Sequence, residues 1–336
     1  MRRRSLLGVL LPLLVIAWTG AQAGTTLRIT LQLPLKSHLG QNLLLFEKEV
    51  EEASGGEIQI EIYPSAQLYK DKEVPQAVGS GAIEMGVASL TRFAGTIPAV
   101  DVFYVPFLLD SPELVQAAIA PGSPIRAPIE EEILKTGARV LWWQPYGSTI
   151  LLSKQAPVRG PADIRGKKVR VFGKTLGKWV ETVGGKPVLT SGSEQFLAYQ
   201  RGVVDIGMTG MVTIPARKLD QVMDAVTKVP IADIEFVVVI NEKLWQGLTE
   251  DQRRILAQAA ARAEEDVRAK IALMEQEAEA YAKSKGMTVY TPTAEEMAAW
   301  RQASEPMFAW FADHGGDLGR RLVEEAQKLR AGLEKP

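Results

Sequence analysis

Leu27-Arg-Ile-Thr-Leu-Gln-Leu33 carries an apolar residue at every second position, and Ile58-Gln-Ile-Glu-Ile62 repeats the pattern further on. A period of two gives one buried and one solvated face, which is the pattern of a half-buried strand. Between the two, Ser37 opens a helical stretch that runs to Ser54 and stops at Gly55-Gly56. A serine oxygen takes a first-turn amide, and glycine tolerates the left-handed exit from a helix. Pro64 ends the second strand; a short helix near 73–79 and a third strand at 82–88 follow. Strand–helix–strand–helix–strand is the plan of a parallel-type sheet covered by helices, so the fold class is α/β. Further strands are expected at 138–144, 167–172, 203–208 and 236–240.

The last third differs. Thr249 and Gln252 form a capping box, each side chain reaching an amide of the first turn. Nothing interrupts the helical pattern until Gly286, which predicts a helix of roughly 50 Å at about 1.5 Å per residue. That is long for one small domain, and its apolar positions hold no clean heptad, so a helix lying across two domains fits better than a coiled coil. Thr293 and Glu296 form a second box, opening a helix through Trp300 toward Trp310 and Phe311.

Composition narrows the function. The chain has 336 residues, with 39 Lys+Arg against 40 Asp+Glu, two histidines and no cysteine. That length suits two domains. The balanced charge excludes nucleic-acid binding by bulk electrostatics. Without cysteine there is no disulfide scaffold, zinc–thiolate site or thiol nucleophile, and His38 and His314 alone are poor material for a metal cage or triad. No metal or other cofactor is expected. Residues 1–23 read as a cleaved signal peptide: Arg2-Arg3-Arg4, an apolar run from Leu6 to Ala17, then Ala21-Gln22-Ala23. The apolar run is well short of the ~20 residues that span a bilayer. The expected location is the periplasm.

Motifs of catalysis are missing from the chain: it has no phosphate loop, dinucleotide fingerprint, nucleophile elbow or helical zinc pair. No residue is expected to be catalytic. One basic segment is more informative, Asp163-Ile-Arg-Gly-Lys-Lys-Val-Arg170-Val-Phe172. Alternation sets Val169 and Val171 on one strand face and Lys168 and Arg170 on the other. A solvated face is one account. The other is that Arg170 binds a carboxylate, because a guanidinium offers two parallel N–H donors and stays charged when desolvated.

Pro161-Ala-Asp-Ile-Arg-Gly-Lys-Lys-Val-Arg170-Val closely resembles the segment around the substrate arginine of the periplasmic substrate-binding subunits of TRAP (tripartite ATP-independent periplasmic) transporters. Four other pieces resemble that family in the same order: Ile58 through Leu68, Thr91-Arg92-Phe93 with Val105-Pro106-Phe107, Ser193-Glu194 with Gly202-Val-Val-Asp205, and Ile240-Asn-Glu-Lys-Leu-Trp245 with Asp251-Gln252. The resemblance covers essentially the whole chain after the signal peptide.

It implies a two-lobed binding protein with a hinge, an interdomain ligand cleft and a long C-terminal helix bridging both lobes. The expected division is 24–146 plus 235–275 for one lobe and 147–234 plus 276–320 for the other, with 321–336 as a C-terminal helix and tail. The implied partners are a small organic acid and the transporter's membrane subunits, with the binding protein itself a monomer. Arg170 matches the carboxylate-clamping arginine, Arg92 a second cationic position, and Gln32, Ser89 and Asp71 polar cleft positions. Three departures bear on the ligand. Thr149 stands where sialic-acid binders of this family carry an arginine, Thr209 where an asparagine often meets the substrate, and Gly192 where an aromatic is common. Losing a cation argues against a highly acidic ligand, and Gly192 is expected to open space. Trp143, Tyr146 and Phe172 are candidates to flank an apolar body, or else ordinary core. The resemblance therefore favours a hydroxy or oxo monocarboxylate or an aromatic acid. Two other readings use similar lobes: a binding protein of an ABC importer or sensory receptor, and a periplasmic lyase using Glu235 or Asp233.

Overall fold

The computed structural model describes residues 24–333, so the expected signal peptide lies outside the described residues. Ten strands form the framework: β1 Thr25–Thr30, β2 Ile58–Tyr63, β3 Met85–Ser89, β4 Ala138–Ser153, β5 Lys168–Val171, β6 Lys186–Leu189, β7 Ile206–Gly210, β8 Ala225–Thr227, β9 Asp233–Asn241 and β10 Thr288–Tyr290. Their order is β2-β1-β3-β9-β4-β7-β5-β6, with β8 between β4 and β10. The expected strand–helix–strand start is present. β1 runs parallel to β2, with Leu27 opposite Ile60, and parallel to β3. In the second lobe β5 runs parallel to both β6 and β7.

The sheet is mixed because two strands cross between lobes. β9 is antiparallel to β3 and β4. β4 pairs with β9 from Ala138 to Ser148, then with β7 from Thr149 to Ser153. It therefore continues well past the strand end expected at 144. Pro145 and Gly147 disrupt the sequence pattern there, and the ladder shifts register between them, leaving Tyr146 unpaired in a bulge. A bulge bends and twists its strand and re-aims one side chain. Here it carries the strand from one lobe into the next.

The long helix Glu250–Ser284 bridges both lobes, capped by Thr249 and Gln252 as expected. Early in its length Asn42 of the first lobe donates to the Ala263 carbonyl at 2.6 Å. Near its end Ala278 and Ala282 pack into the second lobe's core beside Val226 and Met287. Lys228 pairs there with Glu279 at 2.7 Å. The helix expected after Thr293 is two helices, Ala294–Ser304 and Pro306–His314, because Pro306 interrupts the amide ladder. The last helix, Gly316–Leu333, starts before the expected boundary at 321 and returns to the first lobe. There Arg330 donates to the Phe107 and Leu108 carbonyls at 3.0 and 2.8 Å.

Candidate functional site

The carboxyl ends of strands from both lobes face one cleft, where ligands of open α/β sheets collect. Gln32 follows β1, Ser89 ends β3, and Arg170 and Thr209 lie near the ends of β5 and β7. These side chains line one cavity, together with Asp71, Arg92, Tyr146, Phe172, Gly192, Gln195, Arg217, Ile234 and Phe236.

Arg170 is buried, with 3% of its surface exposed. Its Nε and Nη2 donate to the Thr190 carbonyl at 3.1 and 2.9 Å, and Nη1 donates to the Met208 carbonyl at 2.6 Å. Among the described residues none of its hydrogen-bond partners is an acid. Three of the five guanidinium donors are thereby fixed, which leaves one N–H on each terminal nitrogen, the pair that grips a carboxylate end-on. The Phe172 ring lies beneath the cation, 5.1 Å from ring centre to guanidinium carbon. Burial lowers the Arg170 pKa to about 10, and the Arg92 and Arg217 cations push the same way. The group remains charged at neutral pH.

Arg92 has a different electrostatic setting. Burial opposes its charge, but the Asp71 carboxylate bonded to its Nε outweighs that and raises its pKa. Asp71 also accepts from the Ser89 amide at 2.9 Å and from the Ser89 hydroxyl at 3.0 Å. Asp71 and Ser89 thus brace Arg92.

Tyr146, turned into the cleft by the β4 bulge, packs against Phe236 and His38, with ring centres 5.1 Å apart in each pair. Its hydroxyl accepts from Thr213 at 2.9 Å, and Thr213 bonds Thr209 at 2.9 Å. His38, its ring nitrogen 3.1 Å from the Pro145 carbonyl, is held neutral: burial lowers its pKa to about 4.

Two expected site residues lie elsewhere. Trp143 is fully buried in the first lobe, donating its indole N–H to Glu130 at 2.8 Å with Arg126 over its ring. Strand alternation sets it on the face opposite the cleft. The Thr149 hydroxyl donates to the Val229 carbonyl and accepts from the Ala232 amide, both at 3.2 Å, so it ties the lobe crossing together. The absence of arginine at 149 therefore removes no cation from this cavity, while Arg217 supplies one from another element. Gly192 does not open space either. A β-carbon there would lie 2.6 Å from Gln32 Oε1 and 3.3 Å from Arg217 Nη2, so these two side chains already fill the place.

Sequence reasoning missed Arg217, Gln195, Ile234 and Phe236. Phe236 opens a continuous apolar run to Ile240 that reads as core, Ile234 lies between two acids just before it, and Arg217 ends a short helix without a motif. Glu235 pairs with Arg268 at 3.2 Å, and neither Glu235 nor Asp233 lines the cavity. Among the described residues no group of three or more His, Asp or Glu side chains is placed to hold a metal, and no helix is long and apolar enough to cross a membrane.

Residues 31–314 match the model of DctP, bacterial extracellular solute-binding protein family 7. The C4-dicarboxylate-binding periplasmic protein DctP of Rhodobacter capsulatus is 28% identical over 281 residues, 82% of this chain and 83% of that protein. Among solved structures, a TRAP periplasmic solute-binding protein of Sulfurospirillum deleyianum with bound succinate is 25% identical, with a TM-score of 0.85 over 91% of this chain and 99% of that one. The sugar-acid-binding protein of Advenella mimigardefordensis in complex with galactonate has a TM-score of 0.86 at 21% identity, over 91% and 99% of the two chains. A cleft between two lobes, a buried arginine without an acidic partner and a match along most of the chain agree: this protein belongs to family 7 of the bacterial extracellular solute-binding proteins, and it is a TRAP-type solute-binding protein and not an enzyme.

Proposed function

We propose that the protein captures a small organic acid in the periplasm and delivers it to the membrane subunits of a TRAP transporter. Arg170 takes the carboxylate through the N–H left on each terminal nitrogen. The observation that carries this reading is the buried guanidinium, held among the described residues by main-chain carbonyls alone. Burying an uncompensated cation is unfavourable, and an anion in the cavity relieves it. Residues 24–146 with 235–275 then move against 147–234 with 276–320 about the two crossing strands. Closure excludes water and strengthens the charged contacts, so ligand shifts the population toward the closed form. Arg92, Gln32, Ser89 and Asp71 meet the ligand from the first lobe, and Phe172, Tyr146 and Thr209 complete the pocket.

The ligand class is a hydroxy or oxo monocarboxylate, with an aromatic acid as the second option. Asp71 already offsets Arg92, which supports a ligand of modest charge. Trp143 in the core removes one of the aromatic faces that an aromatic acid would use. A thermal-shift screen of refolded protein against organic acids tests the reading. A folded-state ligand at a thousandfold excess over its Kd stabilises by about 4 kcal/mol, so one acid class is expected to raise Tm clearly. No shift with any acid contradicts the proposal.

A further inference from the structure

Two side chains that meet above Gly192 each carry an orphaned polar atom. Among the described residues, Gln32 Oε1 is buried and receives no hydrogen bond, and Arg217 Nε is buried and donates none. The two side chains come from different lobes, yet both crowd the position where residue 192 would carry a β-carbon. Arg217 Nη2 also reaches the Gln32 main-chain carbonyl at 3.4 Å. One orphan therefore needs a donor and the other an acceptor, on side chains that line the same cavity.

We infer that Gln32 and Arg217 form a hydroxyl-reading pair that selects hydroxy acids over acids lacking the hydroxyl. This rests on the proposal that Arg170 holds the carboxylate. A hydroxyl both donates and accepts, so it satisfies Gln32 Oε1 and Arg217 Nε together. A second carboxylate or an oxo group only accepts, so it serves Arg217 Nε and leaves Gln32 Oε1 without a donor. An apolar group would leave both orphans unpaired, and sites built to bond a hydroxyl discriminate strongly against analogues without one. Gly192 is part of the device, since any side chain there displaces the amide.

The test is calorimetric titration of the refolded protein with 2-, 3- and 4-hydroxybutyrate, butyrate and succinate. The expected result is one hydroxybutyrate isomer binding about tenfold or more tighter than butyrate. In Arg217→Met, and independently in Gly192→Ala, that ratio is expected to fall to within about threefold, with circular dichroism confirming the fold. Equal binding of butyrate and every hydroxy isomer would show that water fills the pair and overturn the inference alone. Succinate as the tightest ligand, or a preference retained in both variants, would overturn it as well. Binding of none of the five acids would overturn this inference and count against the Arg170 clamp on which it rests.

Discussion

Thr175 of the second lobe donates its hydroxyl to Asp101 of the first at 2.7 Å, and the Thr175 amide reaches the same carboxylate oxygen at 3.4 Å. Thr175 lies in the first turn of the helix Lys174–Thr182, so the contact sets a carboxylate at a helix N-terminus across the lobe boundary. It exists only when the lobes meet. Thr175→Val keeps the shape and removes the hydroxyl donor. A hydrogen bond to a charged group contributes ~1.5–3 kcal/mol, so ligand affinity should fall about tenfold or more. Small-angle scattering should then show a more open average shape at equal ligand concentration. Unchanged affinity would mean the contact does not favour closure. The exposed Lys70–Glu194 pair at 3.0 Å also joins the lobes, but exposed pairs contribute little, and Lys70→Ala should change affinity less than about fivefold.

Gly173 meets the first lobe so closely that a β-carbon would collide with the Thr91 hydroxyl. Gly173→Ala should therefore hold the lobes apart without disturbing either core. Calorimetry should show weakened ligand binding, while Tm without ligand stays within about 2 °C of wild type, as expected for a change of a few tenths of a kcal/mol. A large loss of ligand-free Tm would place the residue in the folding core instead.

Trp143 was a plausible cleft aromatic in the sequence, and its environment shows why it is not one. Glu130, Arg126 and Phe103 surround it inside the first lobe. Trp143→Phe should destabilise the protein by about 1–3 kcal/mol through lost packing and the lost indole bond to Glu130, which keeps its pair with Arg126. Ligand affinity should stay within about twofold, whereas Phe172→Leu, beneath the Arg170 cation, should weaken binding several-fold. A reversal of these effects in titrations would contradict the placement.

His38 gives a pH signature. Burial lowers its pKa from 6.5 in the unfolded chain to about 4 in the fold, despite the Pro145 carbonyl working the other way. Above pH 6.5 both states are neutral at this site and it adds no pH dependence. As pH falls from 6.5 toward 4 the unfolded state takes up the proton first, so stability drops, and below 4 the slope ends. Between pH 6.5 and 4, His38→Gln should lose less Tm than wild type in parallel melts. Identical slopes would assign the acid sensitivity to carboxylates alone.

The local patterns were legible where each element obeys one period: the Ile58–Ile62 alternation and the Thr249 box appear as read, while the strand expected over Leu27–Leu33 ends at Thr30. For Arg170 alternation left a solvated face open, and its place in the cavity was suggested only by the family resemblance of its segment. The lobe crossing was not legible, since Pro145 and Gly147 carry the appearance of a strand end while forming a bulge within one. Nor was Arg217, whose place in the cavity depends on tertiary contact with Gln32 and on the missing side chain of Gly192. Absence of a side chain reads as space in a sequence; in the fold that space is already taken.

The central claim is that Arg170 supplies the carboxylate clamp. Its most direct test is calorimetric titration of the acid that shifts Tm most against wild type, Arg170→Lys and Arg170→Met. The account predicts a loss of about 10–150-fold in Arg170→Met. It also predicts a loss of at least about tenfold in Arg170→Lys, because an ammonium keeps the charge but not the two parallel donors. Wild-type affinity in both folded variants would contradict it and move the carboxylate to another cation of the cleft.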